Sequence, residues 1–290
     1  MRTIRYIGKT SYLKIWNSKV GTFLLIFLIY AWSFNQPYLQ FVKEQNYPIS
    51  WCIFPFCMSS YFIVCLYYFG IVYVNSDMPF MQHANMYQVI RCGRKRWVLG
   101  QIAGIFVRSF VLTVTSAFIV VLPFIGHLEF TDDWGKVIYT LASTKRMTGF
   151  FADNFVEYNF FYDAIKTFTP LELMGITILI CTLVFMFLGM AMFMVSLFFG
   201  KLWAVAGGFF LSCLLFVVEN VPEYARLAVA HFVPLYWVEV ALIETPNAGY
   251  YRLPSIPYML TFLVVSIVVM AVLIYWKVKK IEFNWENEDA

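Results

Sequence analysis

LELMGITILICTLVFMFLGMAMFMVSLFF at residues 171–199, then Gly200-Lys201, then LWAVAGGFFLSCLLFVV at 202–218, decides the class of this chain. Neither run alternates polar with apolar residues as a half-buried strand would. The one charged residue within them, Glu172, stands at the very start. A hydrocarbon core of about 30 Å takes about 20 helical residues. The pair therefore reads as two membrane-spanning helices joined by a tight turn.

Outward from this pair lie four more apolar stretches, at 20–34, 51–74, 97–125 and 257–276. The first reaches spanning length only with help from Ile15 and Trp16, and the others reach it unaided. With 61% hydrophobic and 13% charged residues, too little polar surface remains to coat a soluble globule of 290 residues. Long unbroken apolar runs also argue for helices over a membrane barrel, whose strands alternate. The expectation is an all-α polytopic membrane protein, one permease-like domain over 1–290 with six spans at 20–34, 51–74, 97–125, 171–199, 202–218 and 257–276.

Lysine and arginine set the orientation. Arg2, Arg5, Lys9, Lys14 and Lys19 precede the first span without an acid, and Arg91, Arg94, Lys95 and Arg96 lie between spans two and three. Lys201 sits in the turn before span five, and Lys277, Lys279 and Lys280 follow span six. By the positive-inside rule all four segments belong to the cytoplasmic side. The loops 35–50, 126–170 and 219–256 are balanced or acidic and fall outside. A multi-pass protein of the cell membrane with both termini cytoplasmic follows. The net charge of +4 is then a topology signal and implies no nucleic-acid partner.

No small-residue cleavage site follows the first stretch, which runs into Ser33-Phe34-Asn35-Gln36-Pro37, so it is expected to stay as an anchor. Cys65, Cys181 and Cys213 fall inside predicted spans and Cys92 on the cytoplasmic side. Cys52 and Cys57, near the outer face, are poorly spaced for a bridge within one helix start. No disulfide framework and no zinc site are expected.

Between spans, two segments carry helical signals. Ile4, Ile7, Ser11 and Ile15 share one side of a helix, with Arg5, Lys9 and Lys14 toward another, so residues 1–19 read as an interfacial amphipathic helix or, given Gly8, as a frayed basic leader. Ser76-Asp77 offers an N-cap, Pro79 suits a first turn and Gly93 a C-terminal stop. A helix of about 14 residues, roughly 20 Å long, fits between them. Antiparallel helices need only about two to eight linking residues. The insertion can therefore dock into a groove on a partner through Phe80, Met86 and Tyr87, or lie on lipid as a second interfacial helix.

This order of a basic amphipathic leader, a span, an outer loop, a span and a helical cytoplasmic insertion, then four more spans with a tight inner turn at Gly200-Lys201, resembles a known family. The segment Tyr87-Gln88-Val89-Ile90-Arg91-Cys92-Gly93-Arg94-Lys95-Arg96-Trp97 is similar to the stretch between coupling helix and third span, and Pro234-Leu235-Tyr236-Trp237 to one before the last span, of type-2 ATP-binding cassette permeases. These are the membrane subunits of bacterial drug, bacteriocin and polysaccharide exporters. The outer loop 126–170 is longer than that family leads one to expect.

The resemblance implies that residues 77–92 form a coupling helix seated in a cleft of a separate cytoplasmic ATPase, with Phe80, Met81, Ala84, Met86, Tyr87, Ile90 and Arg91 as the coupling surface. It implies no cofactor on this chain, with ATP and Mg held by the partner ATPase. A single six-span chain supplies half a pathway, so a second permease copy or a related subunit is implied, rocking between inward and outward states.

Catalysis is not expected here. Gly8-Lys9-Thr10 lacks the earlier glycine and the preceding strand of a phosphate loop, since Thr3 stands where that glycine would be. His83, His127 and His231 are solitary in sequence, and no metalloprotease or nucleophile-elbow pattern occurs. Arg108 is the charge that falls within a predicted span. It is placed near mid-membrane if the helix starts near Trp97, roughly 18 Å past Arg96, or snorkels to headgroups if the helix enters near Ile105. Gln101, Gly104, Arg108 and Thr115 fall near one face, a candidate pathway lining or interface. Gly189, Ala191 and Ser196, with Ala204, Ala206, Gly207 and Gly208, suit close helix packing within a subunit or between subunits.

The aromatic load, 31 Phe, 19 Tyr and 9 Trp, suits lipid contact and an amphipathic or hydrophobic cargo such as a peptide, drug or lipid. Residues 126–170 hold enough apolar side chains, Phe150, Phe151, Phe155, Phe160 and Phe161 among them, for a small ordered cap. Residues 219–240 read as a short helix re-entering the outer leaflet, either gating an exit or covering helix ends. Residues 285–290 read as disordered. Two other classes stay open: an ATPase-independent channel or membrane scaffold, and an intramembrane enzyme.

Overall fold

The apolar runs fold as helices, with corrections at the first two. The computed structural model describes residues 17–76, 89–144 and 156–280, together with Gly8 and Ile15, both helical. The expected interfacial helix at 1–19, apart from Gly8, Ile15 and residues 17–19, most of the 77–92 insertion, Phe150, Phe151 and Phe155 of the cap, and the 285–290 tail lie outside the described residues. In chain order the helices are α1 (Ser18–Gln45), α2 (Phe54–Cys57), α3 (Tyr61–Asn75), α4 (Arg94–Val121), α5 (Gly135–Ser143), α6 (Tyr162–Thr167), α7 (Pro170–Phe199), α8 (Lys201–Asn220), α9 (Glu223–Ala230) and α10 (Ile256–Lys280). Strands β1 (Ile49–Ser50) and β2 (Leu128–Glu129) pair in parallel, Ile49 opposite Leu128.

Five helices, α1, α4, α7, α8 and α10, are long and apolar enough to cross a bilayer. Their outward faces agree, since Ile29, Phe118, Leu179, Phe210, Val265 and Val268 are each about half exposed or more. A soluble protein would not leave such an apolar belt in water.

Two expectations are corrected. The first helix does not stop near Phe34 but runs to Gln45, so the stretch expected as a loop at 35–50 is mostly helix, and Pro37 lies inside it. Proline costs that helix a hydrogen bond. Tertiary packing offsets the cost: Asn35 is fully buried and donates to Val120 O at 2.9 Å, and Tyr38, Phe41 and Val42 bury against the cap. The helix thus gains its length beyond Phe34 and does not depend on Ile15 and Trp16.

The apolar run 51–74, expected as one span, is divided. Pro55 sits in the first turn of α2, Ser59 Oγ donates to Phe56 O at 2.5 Å, and Ser60 precedes α3 in an extended conformation. A serine hydroxyl bonded to its own backbone competes with helix continuation. The remaining α3 has 15 residues, about 22 Å, which is shorter than a hydrocarbon core.

The α7–α8 hairpin organises the rest. Thr169 and Glu172 cap each other's backbone at 3.3 and 3.0 Å, a reciprocal box that fixes the start of α7. Along α7, Phe185 stacks on Tyr67 of α3, ring centres 4.7 Å apart, and Phe23 and Phe27 of α1 meet the same ring edge-on. Tyr67 donates to Leu112 O of α4 at 3.1 Å and lies 2.8 Å from Ser116 Oγ. One buried tyrosine so joins α1, α3, α4 and α7, its hydroxyl satisfied where no water reaches.

At one end of the bundle, α2, α5, α6, α9, the β1–β2 pair and two 3-10 turns, Pro234–Val238 and Val240–Leu242, form a cap. The other end is basic. There Arg94 donates to Lys279 O at 3.1 Å and Lys277 lies 4.6 Å over the Phe198 ring, next to the Gly200-Lys201 turn. A separate apolar core, with Trp97, Phe193, Ile274 and Val278, holds α4, α7 and α10 together near that end.

Candidate functional site

Arg108 and the polar residues at the end of α3 meet at one level of the helical bundle. Arg108 of α4 is 3% exposed, so its guanidinium faces protein. It donates to Val74 O at 3.1 Å and to Asn75 Oδ1 at 2.7 Å, at the end of α3. Lys19, at the start of α1, donates to Ser76 Oγ at 2.7 Å and lies 5.4 Å over the Tyr73 ring. The near ends of α1 and α3 therefore meet α4 beside Arg108. That level is about 21 Å along α4 from Arg94, so α4 continues well past both helices toward the basic end.

Gly189 of α7 makes this approach possible. A Cβ there would stand 2.8 Å from Ile105 Cγ2 and 3.4 Å from Asn75 Nδ2. Gly208 of α8 similarly admits Met192 and Val72, at 3.0 Å and 3.3 Å from a notional Cβ. Both are packing glycines within one chain, whereas a Cβ on Gly207 would meet nothing within 4 Å. Gln101, one face-repeat nearer the basic end, is 2% exposed.

Of the expected coupling residues, Phe80, Met81, Ala84, Met86 and Tyr87 lie outside the described residues. Residues 89–92 are helical, with Ile90 68% exposed and Arg91 exposed. Gly93 ends that turn at φ 81, its N–H donating to Val89 O at 2.8 Å, before α4 begins. A left-handed residue of this kind is a helix stop that glycine takes without strain. The insertion thus hangs between Ser76 and Gly93, the ends of two helices tied to each other by Arg108.

Toward the cap, α4 and α7 border an apolar groove of about 330 Å³ on the outer face of the bundle, lined by Val114, Ala117, the outward-facing Phe118, Met174, Ile178 and Trp51. Its wall is nearly without polar atoms, so it suits an alkyl or aromatic group and could not orient a polar one. Among the described residues, no group of three His, Cys, Asp or Glu could hold a metal ion.

Sequence reasoning singled out Arg108 but not Asn75, its partner. Asn75 is the first amide after the apolar run of α3, which is the available signal. Glu239 was also passed over. It is 1% exposed between the two 3-10 turns, and burial together with the nearby charge of Glu219 holds its carboxyl well above the usual carboxylate range. Comparison with family models, with curated proteins and with solved structures gives no match.

Proposed function

We propose that this chain is the membrane-spanning permease subunit of an ATP-driven exporter. In this reading α1, α4, α7, α8 and α10 are full spans and the shorter α3, which follows the cap helix α2, is the sixth. The basic end is cytoplasmic by the positive-inside rule, with both termini on that side. Cytoplasmic ATP-binding cassette subunits bind ATP and Mg and hydrolyse the nucleotide, and a second permease copy or related subunit completes the pathway.

The observation that carries the reading is the Arg108 tie between α3 and α4. A helix at 77–92, docked through Phe80, Met81, Ala84, Met86, Tyr87, Ile90 and Arg91, would be pushed when two ATPases close. Because Arg108 joins the two helices from which that segment hangs, the push moves α3 and α4 as one body and does not merely pull them apart. Closure then biases a bistable packing of the bundle, as alternating access requires. The cargo in this reading is amphipathic or hydrophobic, a peptide, drug or lipid, and the apolar groove along α4 and α7 accepts the alkyl or aromatic part of such a molecule.

Purification of the tagged chain from its native membrane in mild detergent, with mass spectrometry of the eluate, tests this. A stoichiometric ATPase subunit is the expected result. A homo-oligomer free of any ATPase would overturn it in favour of a channel or scaffold.

A further inference from the structure

Helices α7 and α10 pack along one seam and part beside it. Met190, Phe193 and Leu197 of α7 share a core with Ile267, Met270 and Ile274 of α10. Next to that seam the two helices leave an open groove of about 530 Å³, walled by Phe187 and Met194 of α7 and by Val265, Val269, Met270 and Leu273 of α10. Val265 and Val269 are half exposed, so the groove faces outward from the bundle. Two hydroxyls line it, and both are satisfied inside α10: Thr261 Oγ1 donates to Pro257 O at 2.7 Å and Ser266 Oγ to Leu263 O at 3.0 Å. At the cap end stands Tyr258, whose hydroxyl donates to His231 O at 3.2 Å. The wall therefore offers a ligand apolar contact and no polar group to orient it, which is the surface an alkyl chain needs.

The opposite end of the groove is charged. Lys277 follows Leu273 about 6 Å along α10. Its Nζ lies 4.6 Å over the Phe198 ring of α7, so the ammonium is held across the same two helices that form the groove. Lys280 stands one turn further on and is exposed. The sequence supplies no acid to answer these charges from the adjoining helices, since 173–218 and 256–280 contain neither Asp nor Glu. Trp276 and Trp203 are each 65% exposed near this level, the placement of indoles where an apolar phase meets a wet one.

We propose that the α7–α10 groove holds an acyl chain of an anionic phospholipid from the leaflet at the basic end, its phosphate paired with Lys277. The site rests on the chain spanning a membrane and on no ATPase. From Leu273 back to Phe262 the groove follows α10 for about 16 Å, the depth of one leaflet in a hydrocarbon core of about 30 Å. A basic pocket between spanning helices selects an anionic headgroup, because a zwitterionic one brings its own cation to the phosphate. A second copy of this chain fits less well, since in the same membrane its basic end lies at the same level and sets lysine against lysine.

The test is native mass spectrometry of the full chain, stripped of lipid in detergent and titrated with phosphatidylglycerol, with phosphatidylcholine of the same acyl chains, or with glycerol phosphate alone. The wild type should bind one phosphatidylglycerol about fivefold more tightly than phosphatidylcholine, as one lysine beside an anionic headgroup provides, and should not retain glycerol phosphate at the same concentration. Lys277→Gln should bring the two lipids to equal affinity, and Lys277→Arg should keep the preference. Ser266→Trp, which fills the groove, should lose the tightly held lipid, whereas Val272→Trp, on the exposed face outside it, should keep it. Equal affinity for the two lipids in the wild type, a preference unchanged in Lys277→Gln, or glycerol phosphate retained as well as the whole lipid would overturn the proposal. So would lipid binding untouched by Ser266→Trp, or a wild-type dimer that Ser266→Trp separates, which would give the groove to a second copy. Should Ser266→Trp not fold, Val269→Phe narrows the same groove and is read in the same way.

Discussion

Arg108 of α4 reaches across to α3 and donates to Asn75 Oδ1 at 2.7 Å, directly beside the bare backbone of Gly189 in α7. Three helices meet there because one residue supplies charge, one an acceptor and one only space.

Asn75→Leu should therefore destabilise the protein by about 1.5–3 kcal/mol, since a buried guanidinium loses a charge-assisted acceptor. Thermal unfolding in detergent checks this. Arg108→Lys should cost a similar amount, because an ammonium cannot span Val74 O and Asn75 Oδ1 with the geometry of a planar fork.

Gly189→Ala should lower the melting temperature, with a cost of about 1–3 kcal/mol as Ile105 is displaced. Gly207→Ala places its methyl in open space and should leave melting unchanged or raise it. Equal losses at the two glycines, measured side by side, would mean that the close approach of α3, α4 and α7 is not what Gly189 provides.

Where α1 and α4 reach the cap, Asn35 donates to Val120 O at 2.9 Å and accepts from the Tyr158 hydroxyl. Asn35→Ala leaves two buried groups unsatisfied and should cost about 2–4 kcal/mol, against about 1 kcal/mol for Tyr158→Phe, which removes a single donor. Limited proteolysis within 122–169 should accelerate in the same order.

The hairpin at the centre of this fold could be seen in one dimension. Its two apolar runs and its Gly200-Lys201 turn are local features, while the Thr169-x-x-Glu172 start, equally local, is recognised only from its hydrogen bonds. The overrun of α1 through Pro37 could not be seen. It depends on Asn35 finding Val120, and local propensity at Ser33-Phe34-Asn35-Gln36-Pro37 argues the opposite way. The break at Pro55 and Ser59 was visible as residues but hidden by the apolar run around them. Arg108 announced itself as a charge among apolar residues, yet its burial and its partner come from α3, far off in the chain. Glu239 was masked by the surrounding Trp237-Val238 and Val240-Ala241-Leu242, and its environment is assembled from α3, α8 and α9.

The most direct test of the account is ATPase turnover by the affinity-purified complex in nanodiscs, wild type against a Phe80→Ala/Tyr87→Ala double variant of this chain. The account predicts a co-purifying ATPase in the wild type and its loss, with at least about tenfold lower ATPase activity in the eluate, in the double variant, as expected when two aromatic anchors worth over 1.4 kcal/mol leave an interface. Retention of the same ATPase at the same activity by the double variant would contradict it.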